Sequence, residues 1–103
     1  MEKPRYYILE GKKVVGVDDV LLWAKRFEKM EDRIVKKTKV GDVEVSTVFL
    51  GIDHSFGVGK PLLFETMIFG GGNDGYQERY ETWRQAEAGH RKAIKVVQGE
   101  EGG

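Results

Sequence analysis

Short apolar runs punctuated by glycine open the chain. Tyr6-Tyr7-Ile8-Leu9 and Val14-Val15-Gly16-Val17 flank Gly11-Lys12, a pattern that predicts a β-hairpin. After Asp18 and Asp19 the period changes. Val20, Trp23, Ala24, Phe27 and Met30 fall at helical spacing, with Lys25, Arg26, Lys29 and Arg33 off that stripe. The spacing predicts a helix over 19–32, with the aspartates capping its first N–H groups. Residues 34–40 read as a strand, and Gly41-Asp42 as a two-residue hairpin turn. The returning strand alternates at first (Val43, Val45 and Thr47 against Glu44 and Ser46) and is then apolar on both faces through Ile52, as a strand moving to a central position would be. Residues 62–69 form a second apolar run, interrupted by Glu65 and Thr66. Glycine-bearing loops at 53–61 and 70–75 flank it and are expected at opposite ends of the sheet. Tyr76 to Glu81 alternates again. Thr82-x-x-Gln85 is a capping box, opening a helix whose inner stripe is Trp83, Ala86, Ala93, Ile94 and Val97.

The order is β(β)-α-β-β-β-β-α. Consecutive hairpins predict an α+β fold, a mainly antiparallel sheet with two helices packed on one face. The second half has no room for βαβ crossovers. One domain over 1–98 and a flexible tail at 99–103 are expected.

Composition narrows the function classes. The formal net charge is zero, from 17 basic and 17 acidic residues, so no overall field steers the chain to nucleic acid or an anionic membrane. The absence of cysteine excludes a disulfide framework, a zinc ribbon and a thiol nucleophile. No apolar run approaches the roughly 18 residues of a membrane span. The first residues lead into a strand without the apolar core of a signal peptide, and a cytoplasmic location is expected.

Three stretches carry a resemblance: Ser46-Thr47-Val48-Phe49-Leu50-Gly51-Ile52-Asp53-His54, then Pro61-Leu62-Leu63-Phe64-Glu65-Thr66-Met67, then Tyr80-Glu81-Thr82-Trp83 with Ala86, Gly89 and His90. In this order the chain resembles a family of small uncharacterised proteins of bacteriophage and prophage genomes, over roughly residues 5–95. The resemblance implies a context, not a reaction. Small accessory proteins in such genomes often bind and inhibit host factors, defence systems included.

Several residues could carry chemistry. Glu65, inside an apolar run, would have a raised pKa or need a partner; it is a candidate base, metal ligand or anchor, against a plain structural ion pair. Asp53 and His54 end the central strand beside a glycine-bearing loop, although neighbours on a strand point to opposite faces. His90 shares the inner stripe of the last helix, and Gly89 beside it would admit a close backbone or ligand. If His54, Glu65 and His90 converged, they could ligate a metal or run acid–base chemistry. Gly57-Val58-Gly59-Lys60 is not a Walker loop, because Pro61 and a strand follow Lys60, but its N–H groups could hold a phosphate. Residues 25–39 hold seven basic and three acidic side chains, a patch including Lys36, Lys37 and Lys39 that suits RNA, DNA or an acidic protein surface, against a plain solvated face. No RNP-like aromatic pair or recognition-helix motif supports nucleic acid. Tyr76 and Tyr80 are candidate interface anchors.

The leading expectation is a binding protein that acts on a host protein, as a counter-defence inhibitor, or sequesters a nucleotide signal. It carries no implied cofactor and can form a homo-oligomer. The alternatives are a small metal- or acid/base-dependent enzyme using Glu65, His54 and His90, and a virion assembly component.

Overall fold

The computed structural model describes residues 6–55, 57 and 59–99. β1 (Tyr6–Glu10) and β2 (Lys13–Val17) form an antiparallel hairpin, with Gly11 at φ 64° in the turn. Helix α1 (Val20–Phe27) follows, then a 3-10 turn (Met30–Arg33). β3 (Ile34–Val40), β4 (Val43–Phe49), β5 (Phe64–Phe69) and β6 (Gln77–Tyr80) make a four-stranded antiparallel sheet in sequential order, and α2 (Trp83–Gln98) closes the chain. The α+β class and the element order are as the sequence predicts. The strands divide into a hairpin and a separate four-stranded sheet. Gly99 is the left-handed C-cap of α2; the rest of the expected tail, residues 100–103, lies outside the described residues.

Helix α2 packs across all four strands of the sheet. Strand alternation sends Val45, Thr47 and Phe49 of β4 and Phe64, Thr66 and Ile68 of β5 toward it, and all six are buried. Ala86, Gly89, His90 and Ala93 are the buried residues of the helix. Its N-terminus is the expected capping box, with Thr82 Oγ1 accepting from the Gln85 N–H at 3.1 Å and Gln85 Oε1 accepting from the Thr82 N–H at 3.2 Å.

Helix α1 is shorter than its periodicity predicts. Asp19 caps it, accepting from the N–H groups of Leu21 and Leu22. It ends at Phe27 instead of continuing to residue 32. The reason is tertiary. The Arg33 guanidinium lies over the Phe27 ring, 4.4 Å from its centroid, so the chain must turn back within six residues. Phe27 is also one ring in a continuous aromatic series, Tyr6–Trp23–Phe27–Phe49–Phe64–Trp83, with successive centroids 5.0, 4.6, 6.2, 5.3 and 6.2 Å apart. This series ties the hairpin and α1 to the helix-covered face of the sheet. Gly51 lets it close. A Cβ there would stand 1.8 Å from Phe27 Cζ, and the Gly51 carbonyl accepts from Trp23 Nε1 and from the Tyr7 N–H.

Candidate functional site

The candidate chemical residues occupy three separate places. His90 is 2% exposed and lies between α2 and the sheet. Its Nε2 is 2.9 Å from Thr38 Oγ1 and its Nδ1 is 2.7 Å from Thr47 Oγ1, which in turn bonds Thr66 Oγ1. Each hydroxyl can donate or accept, so either neutral tautomer of the imidazole is satisfied. Tyr80 stands beside this chain. Its hydroxyl is buried and approaches Thr66 without a well-formed hydrogen bond, and its ring presses on Gly89. The three stretches quoted for the resemblance therefore meet here: Thr47 from the first, Thr66 from the second, Tyr80, Gly89 and His90 from the third.

Glu65 is on the opposite face of β5 from Thr66, so it does not converge with His90. Its Oε2 accepts from Gln77 Nε2 at 2.6 Å and from Arg79 Nε at 2.9 Å, both on the adjacent strand β6. This is a cross-strand ion pair. Asp53 organises the loop after β4: Oδ1 accepts from the N–H groups of Ser55 and Leu62, and Oδ2 accepts from Ser55 Oγ. Its charge, after burial, helps push the Tyr7 phenol pKa upward. The backbone N–H of His54 donates to the Leu62 carbonyl, and Lys60 is exposed further along the same loop. The phosphate-loop reading of residues 57–60 includes Val58, which lies outside the described residues. Among the described residues no three potential ligands cluster to hold a metal ion.

Two interface expectations need correcting. Tyr80 is buried at 8% exposure, and Tyr76 packs with the second core cluster around Val45, Ile68 and Ala93 while its hydroxyl donates to Glu78. Both tyrosines face the helix-covered side, because β6 alternates toward α2 at even positions, so they do not form a surface patch. The lysine patch is split by the same alternation. Lys36 lies on the α2 side near His90, whereas Lys37 and Lys39 pair with Ser46 and Glu44 on the other face. Lys37 is 4.0 Å from Glu44.

The sequence reading passed over the most exposed apolar feature of the fold. Helix α1 has no buried residue, and it presents Val20, Leu21 and Leu22 at 47%, 79% and 39% exposure. Ile52, following the Gly51 that receives Trp23, is 42% exposed. Leu22 also lines a groove of about 260 Å³ with Lys25, Arg26, Lys29, Glu28 and Asp32. The signal was present as Val-Leu-Leu: three consecutive apolar residues cannot all lie on one stripe of a short helix.

Burial, and then the nearby Lys36 ammonium, hold the His90 pKa below its ordinary value. The folded protein therefore carries His90 neutral where the unfolded chain already binds a proton. Stability is full above about pH 6.5 and falls as pH drops from there toward the folded pKa. Urea midpoints measured from pH 7.5 to pH 5 are expected to decline, and His90→Gln is expected to flatten that decline. An unchanged slope in the variant would assign the acid sensitivity elsewhere.

No helix among the described residues is long and apolar enough to cross a membrane. No protein-family model matches the chain, and neither does a curated protein or a solved structure.

Proposed function

We propose that this chain is a binding protein whose partner is another protein, docked on the outer face of α1. The observation that carries the reading is the run Val20, Leu21, Leu22 held in water on α1, whose half-buried Trp23 and Phe27 pack inward on the aromatic series. Clustered aliphatic exposure of this kind marks interaction surfaces. Charge gives the partner its character. The groove beside α1 sets Lys25, Arg26 and Lys29 against Glu28 and Asp32, leaving one net positive charge. Lys25, Arg26 and Lys29 rim the groove beside Leu22. A partner with an apolar knob ringed by carboxylates fits, and opposite charge across the rim accelerates encounter. The dispersal of His54, Glu65 and His90 supports binding over catalysis. The resemblance to small phage and prophage proteins supports a host protein as the target, with inhibition of a defence component as the consequence, in the host cytoplasm.

The test is quantitative capture from host lysate by three forms of the protein. Leu21→Glu is expected to fold normally, because an exposed substitution changes stability by only about 0.5 kcal/mol, and to lose the partner. Lys95→Glu, on the exposed side of α2, should retain it. A partner held equally by wild type and Leu21→Glu would overturn the reading. So would a self-dimer in sedimentation that Leu21→Glu dissociates, since a second copy would then be the occupant.

A further inference from the structure

A second recess lies between α2 and strand β3. Its volume is about 120 Å³, and it is lined by Lys36, Glu87, His90, Arg91 and Ile94. Two cations reach it from different elements, Lys36 from β3 and Arg91 from α2. Neither has a salt bridge among the described residues. At its back is the His90 imidazole, fixed by Thr38 and Thr47 so that it cannot turn away. Ile94 adds an apolar wall. We infer that this recess is a small-anion site, taking an oxyanion carried on a compact apolar body, with Lys36 and Arg91 as its charge partners.

The chemistry follows from the lining. An ammonium and a guanidinium on two sides of one recess favour a phosphate or carboxylate group, the guanidinium with its planar fork and the ammonium as a point charge. Glu87 works in the other direction. It leaves the recess with one net positive charge, which disfavours polyphosphate against a single carboxylate or phosphate group. The volume holds one such head group, and Ile94 favours an organic over an inorganic anion. The site shares no residue with the α1 surface, so it stands or falls independently of the docking reading.

His90 reports occupancy. The charged groups lining the recess with it are Lys36 from β3 and Glu87 and Arg91 from α2; its hydrogen-bond partners are uncharged threonines, and the Tyr80 phenol stands beside Thr66. Burial and then the Lys36 ammonium disfavour protonation of His90, and an anion beside Lys36 opposes the second of these, so it should raise the His90 midpoint. The chain has two histidines, which makes His54 an internal control. The experiment is an NMR titration of both rings with inorganic phosphate, phenyl phosphate or benzoate, against chloride at matched ionic strength. A rise at His90 alone, larger for phenyl phosphate than for inorganic phosphate, is expected. Benzoate against phenyl phosphate distinguishes carboxylate from phosphate as the natural head group. Lys36→Ala starts from a higher midpoint, and both it and Arg91→Ala should lose the ligand-dependent increment, whereas Glu87→Gln should tighten binding several-fold. No response to any probe, an equal rise at His54, or a response that survives both cation deletions would overturn the site.

Discussion

Gly89→Ala is expected to destabilise the protein strongly, against the usual direction for a helix. In an exposed helix the change gains up to about 1 kcal/mol. Here the new Cβ would lie 2.0 Å from Tyr80 Oη, 2.1 Å from Cζ and 2.4 Å from Cε1. Those atoms belong to a buried ring on a strand, not to the loose end of a flexible side chain. Either α2 lifts from the sheet or Tyr80 is expelled. Overpacking of this kind costs about 1–3 kcal/mol, and the upper end is expected because the contact is so short. For a domain of this size about 3 kcal/mol lowers the melting temperature by roughly 12–24 °C. Tyr80→Leu should be costly alone but should recover part of the loss in the Gly89→Ala background, a coupling that marks direct contact. A neutral or stabilised Gly89→Ala would mean that α2 does not approach β6 as described.

His90→Ala should cost about 3 kcal/mol, by two mechanisms acting together. It opens a cavity in the helix–sheet interface, and it leaves the half-buried Thr38 hydroxyl and the buried Thr47 hydroxyl without the ring that joins them. Thr47→Val keeps the shape of the site but strands His90 Nδ1 and Thr66 Oγ1, and should cost about 1–3 kcal/mol. The double variant should lose less than the sum, because both changes break one network. Denaturant midpoints read all three. The comparison also separates structure from chemistry. A histidine held for catalysis is commonly replaced with little loss, or even a gain, of stability. Glu65→Gln provides the contrast. Its carboxylate is only 12% exposed and accepts from Gln77 and Arg79, and the Gln amide oxygen keeps one acceptor, so a loss of about 1–2 kcal/mol, below that of His90→Ala, is expected.

The sequence made the sheet legible where local chemistry and tertiary packing agree. Gly11 and Gly41 turn the hairpins, the Thr82–Gln85 box opens α2, and the alternation of β4 and β5 assigns their buried faces. Helix α1 broke that agreement. Its apolar period runs through Met30, but the return of Arg33 over Phe27 stops the helix at residue 27, and a cation–aromatic contact leaves no periodic trace. The candidate site was half legible. His90 was recognisable as an inner-stripe histidine beside a glycine, but its partners are two threonines on β3 and β4, with a third on β5 behind them. Threonine is so ordinary in strands that nothing singled these out. Glu65 and Thr66 interrupted the same apolar run, and only the pairing register tells which faces the helix. The lysines at 36, 37 and 39 read as one patch because charge was counted along the chain; the two-residue repeat of the strand divides them between faces.

Thr47, Thr66, Tyr80 and His90 thus serve the interior, and the outer face of α1, with Leu21 79% exposed, is the docking surface we propose. Amide exchange across the whole chain, with and without a saturating captured partner, tests that claim most directly. Protection gathered over residues 20–29 and around Ile52, with little change in β5, β6 and α2, is the predicted result. Protection centred on the open sheet face at Lys37, Lys39 and Phe69, with α1 unchanged, would contradict it.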